Sequence, residues 1–151
     1  MAGFKGQAEY SIDEKGRVAL PAKMRRVLSP EAKDTLVATR GHEQCITLYP
    51  LDLWERMEAR FHDLNPFRTD TRDFLRTMTR WAEELPLDGQ GRVGIPKALM
   101  DFAGLAHKGP ALIIGALSHV EIWEPAVLRD HEASRPYDYA TVTERVMGER
   151  S

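Results

Sequence analysis

The sequence predicts an α+β fold: two tandem copies of one supersecondary unit, their hairpins interleaved into a small pseudo-symmetric β-barrel, with helices on its flanks. A motif written twice, strand-like runs in the same order after each copy, and amphipathic helical stripes beside the strands carry that prediction. "IDEKGRVALPAKMRRVL" at 12–28 has a shorter relative, "LDGQGRVGIPKALM", at 87–100. Asp13 and Asp88, Gly16 and Gly91, Arg17 and Arg92, Val18 and Val93, and Pro21 and Pro96 each stand 75 positions apart. Pro50 in "CITLYP" and Pro125 in "VEIWEP" repeat the interval, each closing an apolar run. Self-similarity on this scale means two copies of one structural unit. Four short strands cannot bury two faces alone, whereas two interleaved units can close a barrel without exposed sheet edges.

In chain order each unit reads strand, turn, strand, short helix, strand, strand, helix. Residues 8–12 alternate and meet the polar turn "DEKG", where Gly16 can supply the positive φ of a tight hairpin. "RVALP" follows as a strand stopped by Pro21, and residues 22–28 suit a short helix ended by Ser29 and Pro30. Residues 35–39 and 45–49 are β-branched and aliphatic, a second hairpin across "RGHEQ". Residues 51–64 carry Leu53, Trp54, Met57, Phe61 and Leu64 as one helical stripe, and "LNPF" breaks it. A second amphipathic helix, 70–82, gathers Phe74, Leu75, Met78, Trp81 and Ala82 on one face, with Thr69 or Asp70 as its cap. No counterpart of it is expected in the second copy, so it reads as a connector. These aromatics can pack within the chain or be shared with a neighbouring subunit. The second unit repeats the order with a shorter final helix, 126–133, and the tail "YDYATVTERVMGERS" shows little periodicity, so loose order is expected there. The chain divides into a first unit (7–54), a helical connector (55–82), a second unit (83–126), and a C-terminal helix with a loose tail (127–151).

Length and composition bound the function. At 151 residues the chain can form one compact domain or two very small ones sharing a core, and its single cysteine, Cys45, allows no intramolecular disulfide. There is no apolar run near the roughly 18 residues of a membrane span, and "MAGFKGQAEY" lacks the apolar core of a secretory signal, so a cytoplasmic location is expected. A net charge of −2 weighs against phosphate affinity, yet residues 4–26 hold six basic side chains against three acidic ones. The second copy is less basic: Arg92 and Lys97 face Glu84, Asp88 and Asp101.

"YSIDEKGRVALPAKMR", its echo "LDGQGRVGIPKALM", and "CITLYPLDLWERME" resemble the MraZ proteins, bacterial members of the SpoVT/AbrB-like superfamily. The likeness runs from residue 4 to about 135, with D-x-x-G-R-V-x-[LI]-P in both halves. Single AbrB-like domains carry the motif once and pair as dimers. The resemblance therefore implies a swapped-hairpin (double-split) barrel completed within one chain. It also implies a regulator, usually a repressor, that forms ring-like homo-oligomers on repeated promoter elements of the division and cell-wall gene cluster. Double-stranded DNA is then the partner and the nucleoid the place of action. No cofactor, metal, membrane partner or small-molecule substrate is expected.

DNA binding gives the motif a chemistry. A guanidinium at a hairpin tip can pair with guanine O6 and N7 in the major groove, or bracket a phosphate. Arg17 and Arg92 are the candidates, with Asp13 and Asp88 fixing their rotamers from four residues back. Lys15, Lys23, Arg25 and Arg26 would position the protein on phosphates without reading sequence. Asp-x-x-Gly is also a plain turn signature, and at Asp13 and Asp88 both readings can hold. Gln90 stands where the first copy has Lys15, which makes the second tip the weaker one.

Other classes find less support. Cys45 with nearby His42 could evoke a nucleophile, but a cysteine opening an apolar strand is ordinarily a small buried hydrophobe. His42, His62, His107, His119 and His131 form no zinc-type spacing, and the glycine turns lack the G-K-[ST] of a phosphate loop. No enzyme is expected. The rival reading is an AbrB-like protein-binding module of antitoxin type, whose main partner is another protein.

Overall fold

The computed structural model describes residues 3–148. Strand β1 (Gln7–Ser11) leads through the Asp13–Gly16 turn into β2 (Arg17–Ala19), helix α1 (Ala22–Arg25) and a 3-10 turn at Pro30–Ala32. Strands β3 (Thr35–Arg40) and β4 (Ile46–Pro50) follow, then helices α2 (Leu51–His62) and α3 (Thr69–Arg80). The second half repeats the order: β5 (Glu83–Pro86), β6 (Arg92–Gly94), α4 (Lys97–Ala103), β7 (Pro110–Gly115), β8 (Val120–Trp123), α5 (Pro125–Ala133) and α6 (Tyr139–Gly148).

The strands form a six-stranded antiparallel sheet, β1-β7-β8-β4-β3-β5, and a two-stranded ribbon, β2-β6. β1 and β2 do not pair with each other. Each pairs with a strand of the other unit, β1 with β7 and β2 with β6, and β5 returns the exchange by pairing with β3. The register is two-fold: Ala8 opposite Ile113 becomes Glu83 opposite Ala38 when each residue moves 75 positions into the other copy. On the axis of the ribbon, Val18 lies opposite Val93, its own counterpart.

One correction follows from the register. Residues 41–45 join β3 to β4, whereas only 116–119 join β7 to β8, so from β8 onward the copies are related by 74 positions. Under that shift Ile46–Ile122 and Leu48–Val120 exchange about the pair Thr47–Glu121. Pro50 and Pro125 are therefore not equivalents: Pro50 is the N-cap of α2, and Pro125 follows the N-cap Glu124 of α5.

Both halves fill a single core. Ile12, Val18, Leu20, Met24, Leu36, Ala38, Ile46 and Leu48 meet Leu85, Val93, Ile95, Leu99, Ala111, Ile113, Val120 and Ile122 between the sheet and the ribbon. Alternation along β3 turns Val37 and Thr39 outward, yet both are buried because α2 and α3 cover that face. Trp54 and Met78 pack on Val37, the rings of Trp54, Phe61 and Phe74 meet edge to face in sequence, and Thr39 Oγ1 donates to the Met78 carbonyl at 3.0 Å. α2 ends at His62, so Leu64 falls outside its stripe and is 40% exposed.

Two helical expectations change. α3 starts at Thr69 with Arg68 at the cap position and no side-chain cap; Asp70 instead accepts from its neighbour Thr71 N–H inside the first turn. The tail is helical over Tyr139–Gly148, with Asp138 accepting from Thr141 N–H at its start, although no residue of that helix is buried. In element order α6 stands after α5 as α3 stands after α2, so the connector has a counterpart. Residues 149–151 of the tail lie outside the described residues. No described helix is long and apolar enough to cross a membrane.

Candidate nucleic-acid interface

Aspartate, glycine and arginine at this spacing build the same turn twice. The Asp13 carboxylate accepts through Oδ1 from the backbone of Lys15 (2.9 Å) and Arg17 (2.8 Å), and through Oδ2 from Arg17 Nε (2.7 Å). Asp88 does the same with Gln90 N, Arg92 N and Arg92 Nε, each at 2.9 Å. Gly16 and Gly91 close the turns at φ of 80° and 73°, a region open to glycine and costly for most side chains. Their carbonyls accept from Ile95 N and Leu20 N respectively, each at 2.9 Å, so each turn is tied to the opposite unit.

The ribbon places both arginines on one outward face. Arg17 lies opposite Gly94 and Arg92 opposite Ala19, while Val18 and Val93 between them point into the core. Cross-strand partners share a face, so the two guanidinium groups sit on a diagonal of the same small surface. The sequence expectation of arginines at two hairpin tips becomes two arginines on one ribbon made from both units. Neither copy can present this surface without the other.

The carboxylates are firmly ionised. Arg17 N–H, with the Arg17 side chain and Lys15 N–H, holds Asp13 down to about 2 against partial desolvation, and the Arg92 N–H likewise lowers Asp88. Asp13 also lies 3.6 Å from Arg92 Nη1, a contact across the two units that spacing along the chain could not reveal. No reciprocal pair joins Arg17 to Asp88 among the described residues. With Nε committed to aspartate, the two Nη groups of Arg17 have no protein partner among the described residues. They form a bidentate donor edge whose direction is already set.

The other basic candidates are distributed unevenly. Lys15 and Lys23 are exposed, and the Lys23 ammonium lies over Gly6. Arg25 donates from Nη1 to the Leu20 carbonyl and packs against the backbone of Gly91, where a Cβ would collide with its guanidinium. Arg25 thus braces the second turn from the first unit. The remaining candidates for chemistry are quiet: Cys45 is 2% exposed, and burial pushes its thiol up to about 12.

Comparison with known proteins accounts for the duplication. The family model described as "MraZ protein, putative antitoxin-like" matches twice, over residues 4–77 and 78–148. The chain is 36% identical over 144 residues to the "Transcriptional regulator MraZ" of Syntrophomonas wolfei, covering 95% of this chain and 96% of that one. It is 35% identical to the protein of the same name from Natranaerobius thermophilus, with the same coverage. The Thermomicrobium roseum protein of that name is 37% identical over 122 residues, 81% of this chain and 82% of its own. Two matches in tandem, with relatives aligned over most of both chains, place the turn pair in context: this chain belongs to the MraZ family.

Proposed function

We propose that the protein is a DNA-binding transcriptional regulator, a repressor, that uses the β2–β6 ribbon to read repeated promoter elements of the division and cell-wall gene cluster. The observation that carries this reading is the shared outward face of Arg17 and Arg92, each guanidinium aimed by an aspartate four residues before it. A guanidinium held at Nε loses less rotamer freedom on binding and offers its Nη pair to guanine O6 and N7. Lys15, Lys23 and the outer donors of Arg25 take phosphates and set the register. The relatives are named as regulators of transcription, and an enzymatic role is not proposed.

The sheet and ribbon enclosing one core support a closed swapped-hairpin barrel, completed within a single chain by the strand exchange. A net charge of −2 means each chain neutralises few phosphates, so affinity at physiological salt has to come from several linked sites. A homo-oligomeric ring in the cytoplasm, bound at the nucleoid, supplies them. The test is retardation of DNA from upstream of the protein's own gene, cut to carry one repeat or several. Tighter binding to several repeats, weakened by Arg17→Ala with folding intact, is expected; equal binding to one and several would refute the multivalent reading. A stoichiometric complex with an unrelated protein and no retardation would favour the antitoxin-type module instead.

A further inference from the structure

The two copies keep one residue in common in the loops that approach the turns. Residues 29–34, "SPEAKD", lie between α1 and β3, and residues 104–109, "GLAHKG", lie between α4 and β7 at the matching place 75 positions on. Five of the six positions differ, and the sixth is Lys33 in one loop and Lys108 in the other.

Packing does not account for this lysine. Both side chains are exposed, and neither ammonium has a hydrogen-bond or ion-pair partner among the described residues. The backbone does not favour it either. Lys33 has a φ of 54° and Lys108 a φ of 64°, left-handed conformations in which asparagine or glycine costs less. Two loops that differ at every other position thus hold a cation where the main chain penalises it. A ligand that needs the charge explains this; the fold alone does not.

The loops set both cations beside the arginine ribbon. Lys108 N donates to the Ile12 carbonyl at 2.7 Å, and the next residue, Asp13, donates its N–H to the Arg17 carbonyl at 2.9 Å. In the other unit Leu87 N donates to the Asp34 carbonyl at 2.8 Å, and Asp88 N to the Arg92 carbonyl at 2.9 Å. Each lysine-bearing loop is therefore bonded to the residue just before a turn aspartate. β2 and β6 run antiparallel and each begins at its own turn, so the two loops lie toward opposite ends of the ribbon. Arg17 and Arg92 stand between them.

We infer that Lys33 and Lys108 are DNA-phosphate contacts that bracket the two arginines, one at each end of the ribbon. The inference rests on the DNA-reading function proposed above and adds the outer pair of contacts. Base edges in the major groove are walled by phosphates on both sides, so cations at both ends of a short ribbon fix its place in the groove. An ammonium on a flexible stem makes such a contact as a point charge, with no demand on sequence. The pair is uneven. Gly109 follows Lys108, whereas Asp34 follows Lys33 and its carboxylate opposes a phosphate there.

Lys33→Asn, Lys108→Asn and the double variant remove the charge and suit the left-handed backbone, so each should melt at or above the wild-type temperature. Binding is read by fluorescence anisotropy over a salt series, on a labelled duplex with one promoter repeat and on a scrambled duplex of equal length. Lys108→Asn should weaken binding about fivefold at about 0.15 M salt and flatten the log–log salt slope by about one per chain bound. Lys33→Asn should give a smaller loss. Phosphates carry no sequence, so each loss should be the same factor on both duplexes. A double variant that binds with wild-type affinity and slope, while Arg17→Ala still weakens binding, would overturn the bracket and leave the DNA reading standing. A loss confined to the promoter duplex would overturn the phosphate role, and melts below wild type would make the lysines structural. Wild-type protein that binds neither duplex overturns both the bracket and the DNA reading.

Discussion

Behind Gly16, a Cβ would meet Met100 Sδ, the Ile95 carbonyl and His107 Nε2 at 3.5–3.6 Å, which is ordinary contact. Behind Gly91, the same addition would strike the guanidinium of Arg25. Met100 and Arg25 hold matching places, 75 positions apart, so the two turns have the same backbone bonds and opposite backing: sulfur behind one, a cation behind the other. The arginines differ in the same sense. Arg17 has one carboxylate, while Arg92 lies between Asp88 at 2.9 Å and Asp13 at 3.6 Å. A symmetric frame therefore presents an uneven pair, with Arg17 the arm freer to meet a ligand and Arg92 the arm more tightly held.

The frame is where the halves should behave alike. Leu20 and Ile95 are counterparts in the one core, 1% and 7% exposed. Leu20→Ala and Ile95→Ala should each cost about 2–5 kcal/mol in denaturant melts, with one cooperative transition in both variants. Two separate transitions would break the picture of a shared core.

The turns are where the halves should part. Gly16→Ala and Gly91→Ala each force alanine to a left-handed φ, at about 1–2 kcal/mol. Gly91→Ala should cost more, because Arg25 must move, and adding Arg25→Ala should bring its penalty back to the level of Gly16→Ala. Thermal melts of the four proteins decide this; an equal penalty at both glycines would remove the asymmetry.

A smaller effect is expected with pH. Asp13 sits at about 2, below its ordinary 3.8, so its contribution is complete above the ordinary value and is lost as pH falls through about 2. Carboxyl-carbon NMR should show Asp13 still ionised at pH 3, with Arg17 Nε–H slow to exchange. Titration in the ordinary aspartate range would mean that the clamp is loose in solution.

Much of this was legible in the sequence, and the parts that were not have physical causes. The Asp-x-x-Gly-Arg turns could be read because their bonds are local: Asp13 reaches only to Lys15 and Arg17. Interleaving followed from the repeat, but which strand meets which depends on cross-chain register, and so the Asp13–Arg92 contact was out of reach. The one-residue difference between the two hairpin loops was hidden by the coincidence of Pro50 and Pro125. Arg25 reads as a solvated helix residue because its partners, Leu20 O and Gly91, are a backbone carbonyl and a turn from the other unit. Helix α6 was not legible because its β-branched residues, Thr141, Val142, Thr143 and Val146, weaken helix propensity.

The central claim is that one ribbon made from both copies presents the DNA-reading arginines, with Arg17 leading. The most direct measurement is fluorescence anisotropy of labelled promoter DNA against wild type, Arg17→Ala, Arg92→Ala and the double variant at fixed salt. Arg17→Ala should lose about 1–3 kcal/mol per site, roughly 5- to 150-fold in affinity. Arg92→Ala should lose less, and the double variant less than the sum, since both guanidiniums lean on Asp13. Binding that neither substitution weakens, in variants with wild-type melts, would contradict the account.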